Sequence, residues 1–183
     1  MNSVEEVIKL YNNGDKLKYL FFWGHRQKRK EQVDQSCFSN WFPSAFSVDK
    51  IIYKTAEHYM MAQKAILFKD DEHYKKIVSC NTPGEAKKLG RLVRSFDEEI
   101  WKKHRFSIVV EGCQAKFSQN EDFKRCLLQT GAKILVEASP YDRIWGIGMS
   151  AKEDKVYDPN NWKGLNLLGF ALMQVRSNLI CEH

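Results

Sequence analysis

The chain contains no CxxC pair. Its five cysteines, Cys37, Cys80, Cys113, Cys126 and Cys181, are odd in number and widely spaced. That spacing suggests neither a disulfide framework nor a zinc site, and free thiols in a reducing compartment are the simplest reading. No GxxxxGKS or GxGxxG phosphate loop is present. There are no repeats and no low-complexity segment. No run is long and apolar enough to span a bilayer, and the opening MNSVEEVIKLYNNG lacks the apolar core of a signal peptide. A strong basic stripe and a recognisable groove-binding motif are also missing, which weighs against a plain nucleic-acid-binding domain. The expectation is a cytoplasmic protein with no metal, no cofactor and no membrane partner.

What is present is enough for a real core. The 183 residues suit one domain, 1–183, and 43% are hydrophobic. Five tryptophans, seven tyrosines and eleven phenylalanines supply flat rings, most for the core and some free to stack on a planar ligand. The net charge of +6 favours anionic partners such as phosphates, nucleotides or nucleic acid. The lysines are scattered. The one dense basic run, HRQKRK at His25–Lys30, reads more readily as a solvated loop than as a phosphate clamp.

Helix starts are legible. Ser3 with Glu6, Thr82 with Glu85, Ser95 with Glu98 and Ser118 with Glu121 match the capping box. In that motif a hydroxyl and a carboxylate three residues on satisfy backbone N–H groups reciprocally. Pro83 suits a first helical position, and Gly14 and Gly131 suit C-terminal caps. The pattern predicts helices over about residues 4–13, 56–68, 71–80, from 83, 96–117, 121–130 and 166–180. It predicts strands at 16–24 and 133–138 and a hairpin over 45–53 turning at Asp49-Lys50. Strands and helices do not alternate as βαβ units. The fold class expected is therefore α+β, a mainly helical single domain with a small β-sheet. Residues 1–35 read as an N-terminal helix, strand and loop packed on the main body, and no linker splits the chain.

Four segments carry polar groups in unusual company. At about 100° per residue, Glu57, Met61, Lys64 and Phe68 share one narrow helix face, an acid and a base beside apolar side chains. Either Glu57 and Lys64 do chemistry, or they are charges at a core margin, Glu57 being favoured in a first turn by the macrodipole. In LVEASPYDRIWGIG, residues 135–148, Asp142, Arg143 and Trp145 stand at a strand exit. An acid there can steer charge, an arginine can hold phosphate by a two-pronged contact and an indole can stack; the plainer reading is a local turn with Trp145 in the core. In CFSNWF, residues 37–42, Ser39 and Asn40 between aromatics present hydrogen-bond groups to a base or ribose, or simply make an aromatic turn. In TPGEAKKLGRLVR, residues 82–94, Lys87, Lys88 and Arg91 form either a cationic face or a solvated one. Together the segments point to a domain that binds an anionic, partly planar small molecule.

Several blocks, in order and with few gaps, resemble one family. FFWGH (21–25), CFSNWFPSAF (37–46), TAEHYMMAQKA (55–65), KKLGRLV (87–93), KFSQN (116–120), LVEASPYDRIWGIG (135–148) and WKGLNLLGFALMQVR (162–176) look like the NADAR family, the YbiA-like N-glycosidases. The resemblance covers about residues 19–180. Lys54 departs from it, because members often carry proline before the Thr-Ala-Glu-His run; the change is expected to alter only the start of the helix.

The resemblance implies a compact α+β fold without metal, and cleavage of an N-glycosidic bond. Activities described for the family are removal of ADP-ribose from guanine in nucleic acid and hydrolysis of the ribosylaminopyrimidine phosphates of early riboflavin synthesis. Both substrates are a planar base on a ribose that carries phosphate. The implied partner is thus a phosphorylated N-riboside or ADP-ribosylated base, with transient contact to single-stranded nucleic acid for which HRQKRK would be the rim. Glu57, Lys64 and Asp142 become the expected catalytic residues. Trp23, Phe38, Ser39, Asn40, Trp41, Arg91, Trp101, Arg143, Trp145 and Gly146 become the expected substrate-binding residues, with Trp101 and Trp145 stacking and Arg91 and Arg143 on phosphate. The alternative is a non-catalytic ADP-ribose or NAD-binding module, which would not need the three catalytic groups together.

Overall fold

A computed structural model describes residues 1–27 and 32–181; Lys28, Arg29 and Lys30 of the basic run lie outside the described residues. In chain order the elements are α1 (Val4–Asn12), β1 (Tyr19–Phe22), β2 (Phe46–Val48), β3 (Ile51–Tyr53), α2 (Ala56–Leu67), α3 (Asp71–Ser79), α4 (Pro83–Arg91), α5 (Glu98–Ser118), α6 (Glu121–Leu128), β4 (Ile134–Glu137) and α7 (Leu167–Cys181). The fold is α+β and mainly helical, as expected. The strands make two separate ladders, β1 with β4 and β2 with β3. Contacts divide the chain into two compact units, Met1–Ser39 with Asp122–His183, and Asn40–Glu121.

The first unit is organised on β4. β1 lies parallel to it, with Tyr19 opposite Ile134 and Phe22 opposite Glu137. On the other edge a side chain takes the place of a third strand. Asn166 Nδ2 donates to the Leu135 carbonyl at 2.9 Å, and the Glu137 N–H donates to Asn166 Oδ1 at 2.9 Å. Both backbone groups would otherwise be buried without a partner. α7 then packs on β4 so closely that a Cβ at Gly169 would meet the Leu135 carbonyl. Arg176 of α7 is buried and donates to Thr130 Oγ1 at 2.6 Å and to the Lys133 carbonyl at 3.0 Å. α1 buries Val4 and Val7 and lies against the 3-10 turn Pro159–Asn161.

The second unit is built round α2, which packs against α3, α4 and α5. Residues 56–62 are all buried, so this helix has no solvent stripe along that stretch and reads as a core helix. Small residues let its neighbours approach. At Gly112 of α5 an added Cβ would stand 2.5 Å from the Tyr59 ring. Beyond α2, buried Asp70 caps α3 through the His73 N–H and accepts two guanidinium hydrogen bonds from Arg94, at 3.2 and 2.8 Å.

The hairpin is antiparallel and turns at Asp49 and Lys50, whose φ values of 50° and 67° fit a primed turn. The capping box at Thr82 and Glu85 is complete. The box at Ser3 is half formed: the Glu6 N–H donates to Ser3 Oγ at 3.3 Å, but the Glu6 carboxylate takes the Asn2 N–H at 2.9 Å. The other two expected boxes are not formed. Ser95 has φ 54°, incompatible with the extended backbone of an N-cap, and Asp97 at φ −124° caps α5 instead, through the Ile100 N–H. Ser118 is the last residue of α5, and its hydroxyl donates back to the Ala115 carbonyl at 3.4 Å.

Candidate active site

α2 begins where Thr55 is extended, at φ −152° and ψ 163°. Its hydroxyl accepts from the His58 N–H at 3.3 Å and lies 2.8 Å from His58 Nδ1. Another first-turn N–H, that of Glu57, donates to the Asn40 carbonyl at 2.9 Å. The CFSNWF and TAEH segments are thus tied together at Glu57. Asn40 is itself buried, and its Oδ1 accepts from the Cys113 thiol of α5 at 3.9 Å. The Glu57 side chain belongs to a residue only 3% exposed. A carboxylate so removed from water is rare except where its charge is matched or used.

Lys64 lies two turns on, half-buried. Its ammonium sits 3.9 Å over the centre of the Phe96 ring and 5.6 Å from that of Trp101, which is buried. Burial lowers the Lys64 pKa, Glu98 opposes the shift and Arg91 adds to it. Lys64, Arg91 and Trp101 are thereby brought together, with Phe96, whose role nothing in the sequence singled out. Trp41 is half-buried beneath Lys87, whose ammonium is 5.8 Å from its ring.

The remaining expected residues belong to the first unit. Asp142 Oδ1 accepts from the N–H groups of Ile144 and Trp145, both at 2.8 Å, and the Asp142 carbonyl accepts from Gly148 at 3.0 Å. Asp142 is therefore the frame of its own loop, and one carboxylate oxygen makes both of those bonds. Gly146 backs onto β4, where a Cβ would stand 2.7 Å from the Glu137 carbonyl, so no other residue fits without moving the strand. Trp145 is half-buried and Arg143 exposed. Phe38 is fully buried, edge-on to Phe22 at 5.5 Å, and Ser39 closes the 3-10 turn Gln35–Phe38. Trp23 is exposed and touches the Tyr141 ring. Trp23 also lines a cavity of about 470 Å³ along β1, with Arg26 and Lys133 on its wall. No group of three or more His, Cys, Asp or Glu side chains among the described residues could hold a metal ion. No helix among them is long and apolar enough to cross a membrane.

The model of the NADAR domain family matches residues 21–180. The chain belongs to the NADAR family. One NADAR relative, an N-glycosidase of Acanthamoeba polyphaga mimivirus, is 48% identical over 87% of this chain and 95% of its own length. An N-glycosidase of Nostoc punctiforme is 36% identical over 78% of this chain and 85% of its own. The NMR structure of Escherichia coli YbiA superposes with a TM-score of 0.70 at 27% identity, covering 91% of this chain and 88% of that one. The NADAR relatives that bear these names are hydrolases of N-glycosyl compounds.

Within the NADAR frame the departure at Lys54 does more than shape the start of α2. Its ammonium donates to the Cys80 carbonyl at 2.7 Å, to the Ser79 carbonyl at 3.3 Å and to Asn81 Oδ1 at 3.0 Å. It caps the C-terminal end of α3, a position that favours a cation. The expectation of a purely local effect is corrected accordingly.

Proposed function

We propose that this NADAR chain hydrolyses the N-glycosidic bond between a planar base and a phosphorylated ribose, with Glu57 as its principal catalytic group. The observation that carries the reading is the buried Glu57, whose backbone N–H is held by the Asn40 carbonyl at the start of a core helix, in a family that includes relatives named N-glycosidases. When the C1′–N bond breaks, its electron pair leaves with the base, which takes up a proton, and positive charge builds on C1′ and the ring oxygen. A preoriented carboxylate stabilises that charge, or accepts a proton from the water that attacks C1′. Lys64 offers a second route. Its lowered pKa favours the neutral amine, which can bond to C1′ as the base departs. Ring opening then gives a Schiff base, and water hydrolyses it to release the sugar and restore lysine. Asp142 is assigned to a ribose hydroxyl or to protonating the leaving base, through the carboxylate oxygen that does not hold the loop. Arg91 and Arg143 are assigned to phosphate, and Trp101 and Trp145 to stacking.

The finer substrate is ADP-ribose on guanine, or a ribosylaminopyrimidine phosphate. Base release followed by mass spectrometry, with both substrates in parallel, decides between them. Release from one and its loss in Glu57→Gln, with folding unchanged, is the expected result. A loss of turnover by about 10²–10³-fold is the scale for a removed electrostatic stabiliser. Near-wild-type turnover in Glu57→Gln removes the carboxylate role. Tight ADP-ribose binding with release from neither substrate replaces the enzyme by a reader.

A further inference from the structure

Two cysteines far apart in the sequence meet within the first unit. Cys37 lies in the 3-10 turn Gln35–Phe38 and is fully buried; Cys126 lies on α6 and is half-buried. The Cys37 thiol donates a hydrogen bond to Cys126 Sγ. That bond favours the Cys126 thiolate and lowers its pKa, against the opposing effects of burial and of Asp34. Both sulfurs stand on held backbone. The Ser36 N–H donates to Asp34 Oδ1 at 2.9 Å, and the Cys37 N–H donates to the Asp34 carbonyl at 3.1 Å. At the end of α6, Thr130 Oγ1 donates to the Leu127 carbonyl and accepts from Arg176, both at 2.6 Å. The meeting of the two thiols is therefore fixed by the fold.

The pair is reached from solvent through the cavity along β1. Cys126 stands on its wall together with Gln35 and Ser36, the two residues before Cys37. Ser36 is only 9% exposed, yet its hydroxyl oxygen has no hydrogen-bond partner among the described residues. A buried hydroxyl is ordinarily satisfied, so this one is a place for a small polar molecule beside the Cys126 sulfur. A low-pKa thiolate open to a cavity, with a second thiol in contact behind it, is the arrangement that oxidises first and reversibly.

We propose that Cys126 and Cys37 form a reversible dithiol–disulfide site that reacts with a small hydroperoxide admitted by this cavity. The Cys126 thiolate attacks one peroxide oxygen, to which the Ser36 hydroxyl donates. The S–O bond forms, the O–O bond breaks, and the departing oxygen takes up a proton as water or alcohol. Cys37 then attacks the Cys126 sulfenic acid. The S–S bond forms, the S–O bond breaks, and hydroxide leaves with the Cys37 proton as water. The two thiols lose two electrons in all and the peroxide gains them; an external thiol restores the pair. A disulfide of this kind is transient in a reducing compartment. The site goes beyond the N-glycosidase reading and uses neither Glu57 nor Lys64.

The test treats the reduced whole chain with hydrogen peroxide, then alkylates, digests and maps it by mass spectrometry. Cys181→Ser is carried throughout, to remove an exposed thiol that would bridge separate chains. The expected result is a cross-linked peptide pair joining Cys37 to Cys126, lighter by two hydrogens than its halves and separated again by dithiothreitol. Cys37→Ser should halt at a sulfenic acid on Cys126 that dimedone traps, and Cys126→Ser should leave Cys37 reduced. Ser36→Ala should slow bridge formation by about fivefold, the scale of one hydrogen bond. No cross-link, a different pairing, or a Cys126 sulfenic acid trapped as readily with Cys37 present as in Cys37→Ser overturns the site. If Cys37→Ser does not fold, the peptide map of the protein that keeps Cys37 decides by itself. An unchanged rate in Ser36→Ala overturns the part given to its hydroxyl.

Discussion

Replacing Asn166 by alanine tests the claim that one side chain stands in for a strand. Its amide makes two hydrogen bonds to β4, one to the Leu135 carbonyl and one from the Glu137 N–H, both at 2.9 Å, and the residue is fully buried. Alanine leaves both backbone groups buried with no partner. Each such group costs about 1–3 kcal/mol. Asn166 also has φ 52°, in the left-handed region. Asparagine tolerates that region, whereas alanine pays roughly 1–2 kcal/mol there. The sum is about 3–8 kcal/mol, a large share of the ~5–15 kcal/mol that keeps a domain folded. Urea unfolding followed by circular dichroism measures it, with the slope m checked for constancy. Asn166→Gly separates the two causes. It loses the same hydrogen bonds but escapes the backbone term, so it should be about 1–2 kcal/mol more stable than the alanine variant. An alanine variant within about 1 kcal/mol of wild type would refute the strand-substitute reasoning, since two orphaned groups cannot cost so little. A glycine variant no better than alanine would refute the backbone part alone.

Three other outcomes follow from the same structure. Gly112→Ala pushes a methyl to 2.5 Å from the Tyr59 ring, so overpacking of about 1–3 kcal/mol should exceed the ~1 kcal/mol helix gain, and a raised melting temperature would show that α5 and α2 can part freely. Hydrogen bonds from the Arg94 guanidinium, then from the backbone N–H groups of Arg94 and His73 and the His73 ring, hold the Asp70 carboxyl well below its usual range. Its contribution is therefore present above about pH 4 and lost as pH falls toward the lower folded value. Asp70→Asn should be destabilised at neutral pH and the gap to wild type should narrow in acid; a gap that stays constant down to strong acid would sink the linkage. If Lys64 attacks C1′, activity should rise with pH and level off below the ~10.4 of a free lysine, because burial lowers its pKa. Borohydride with substrate should then trap an adduct at Lys64, and Lys64→Arg should be inactive; no adduct and an active arginine variant would leave water attack as the route.

Local rules made much of this chain legible. The Asp49-Lys50 turn, the Thr55 start of α2 and the Thr82–Glu85 capping box depend on residues a few positions apart, and each formed where expected. The failures have physical causes. Ser95 and Asp97 both offer a capping oxygen, and only backbone geometry, φ 54° against φ −124°, decides which can use it. Pairing of β1 with β4 joins distant segments, and periodicity within each strand says nothing of its partner. Asn166 acts through a tertiary contact with β4 that its own neighbours do not signal. In the candidate site, helical spacing found the face that carries Glu57 and Lys64. It could not find Phe96, which precedes another helix and meets Lys64 only through the fold. Asp142 was visible as a polar residue at a strand exit; that one of its oxygens frames the loop was not.

The discontinuity of the first unit sets an order of events on the ribosome. Tyr19 pairs with Ile134, roughly 115 residues downstream, so β1 is made long before its partner exists, and a ladder of such sequence separation closes slowly. At the usual pace of synthesis the wait is on the order of ten seconds. In that interval the whole of Asn40–Glu121 emerges. The apolar strand YLFF meanwhile stays unpaired, a segment for a chaperone to shield and the place where a stalled or truncated chain would first aggregate.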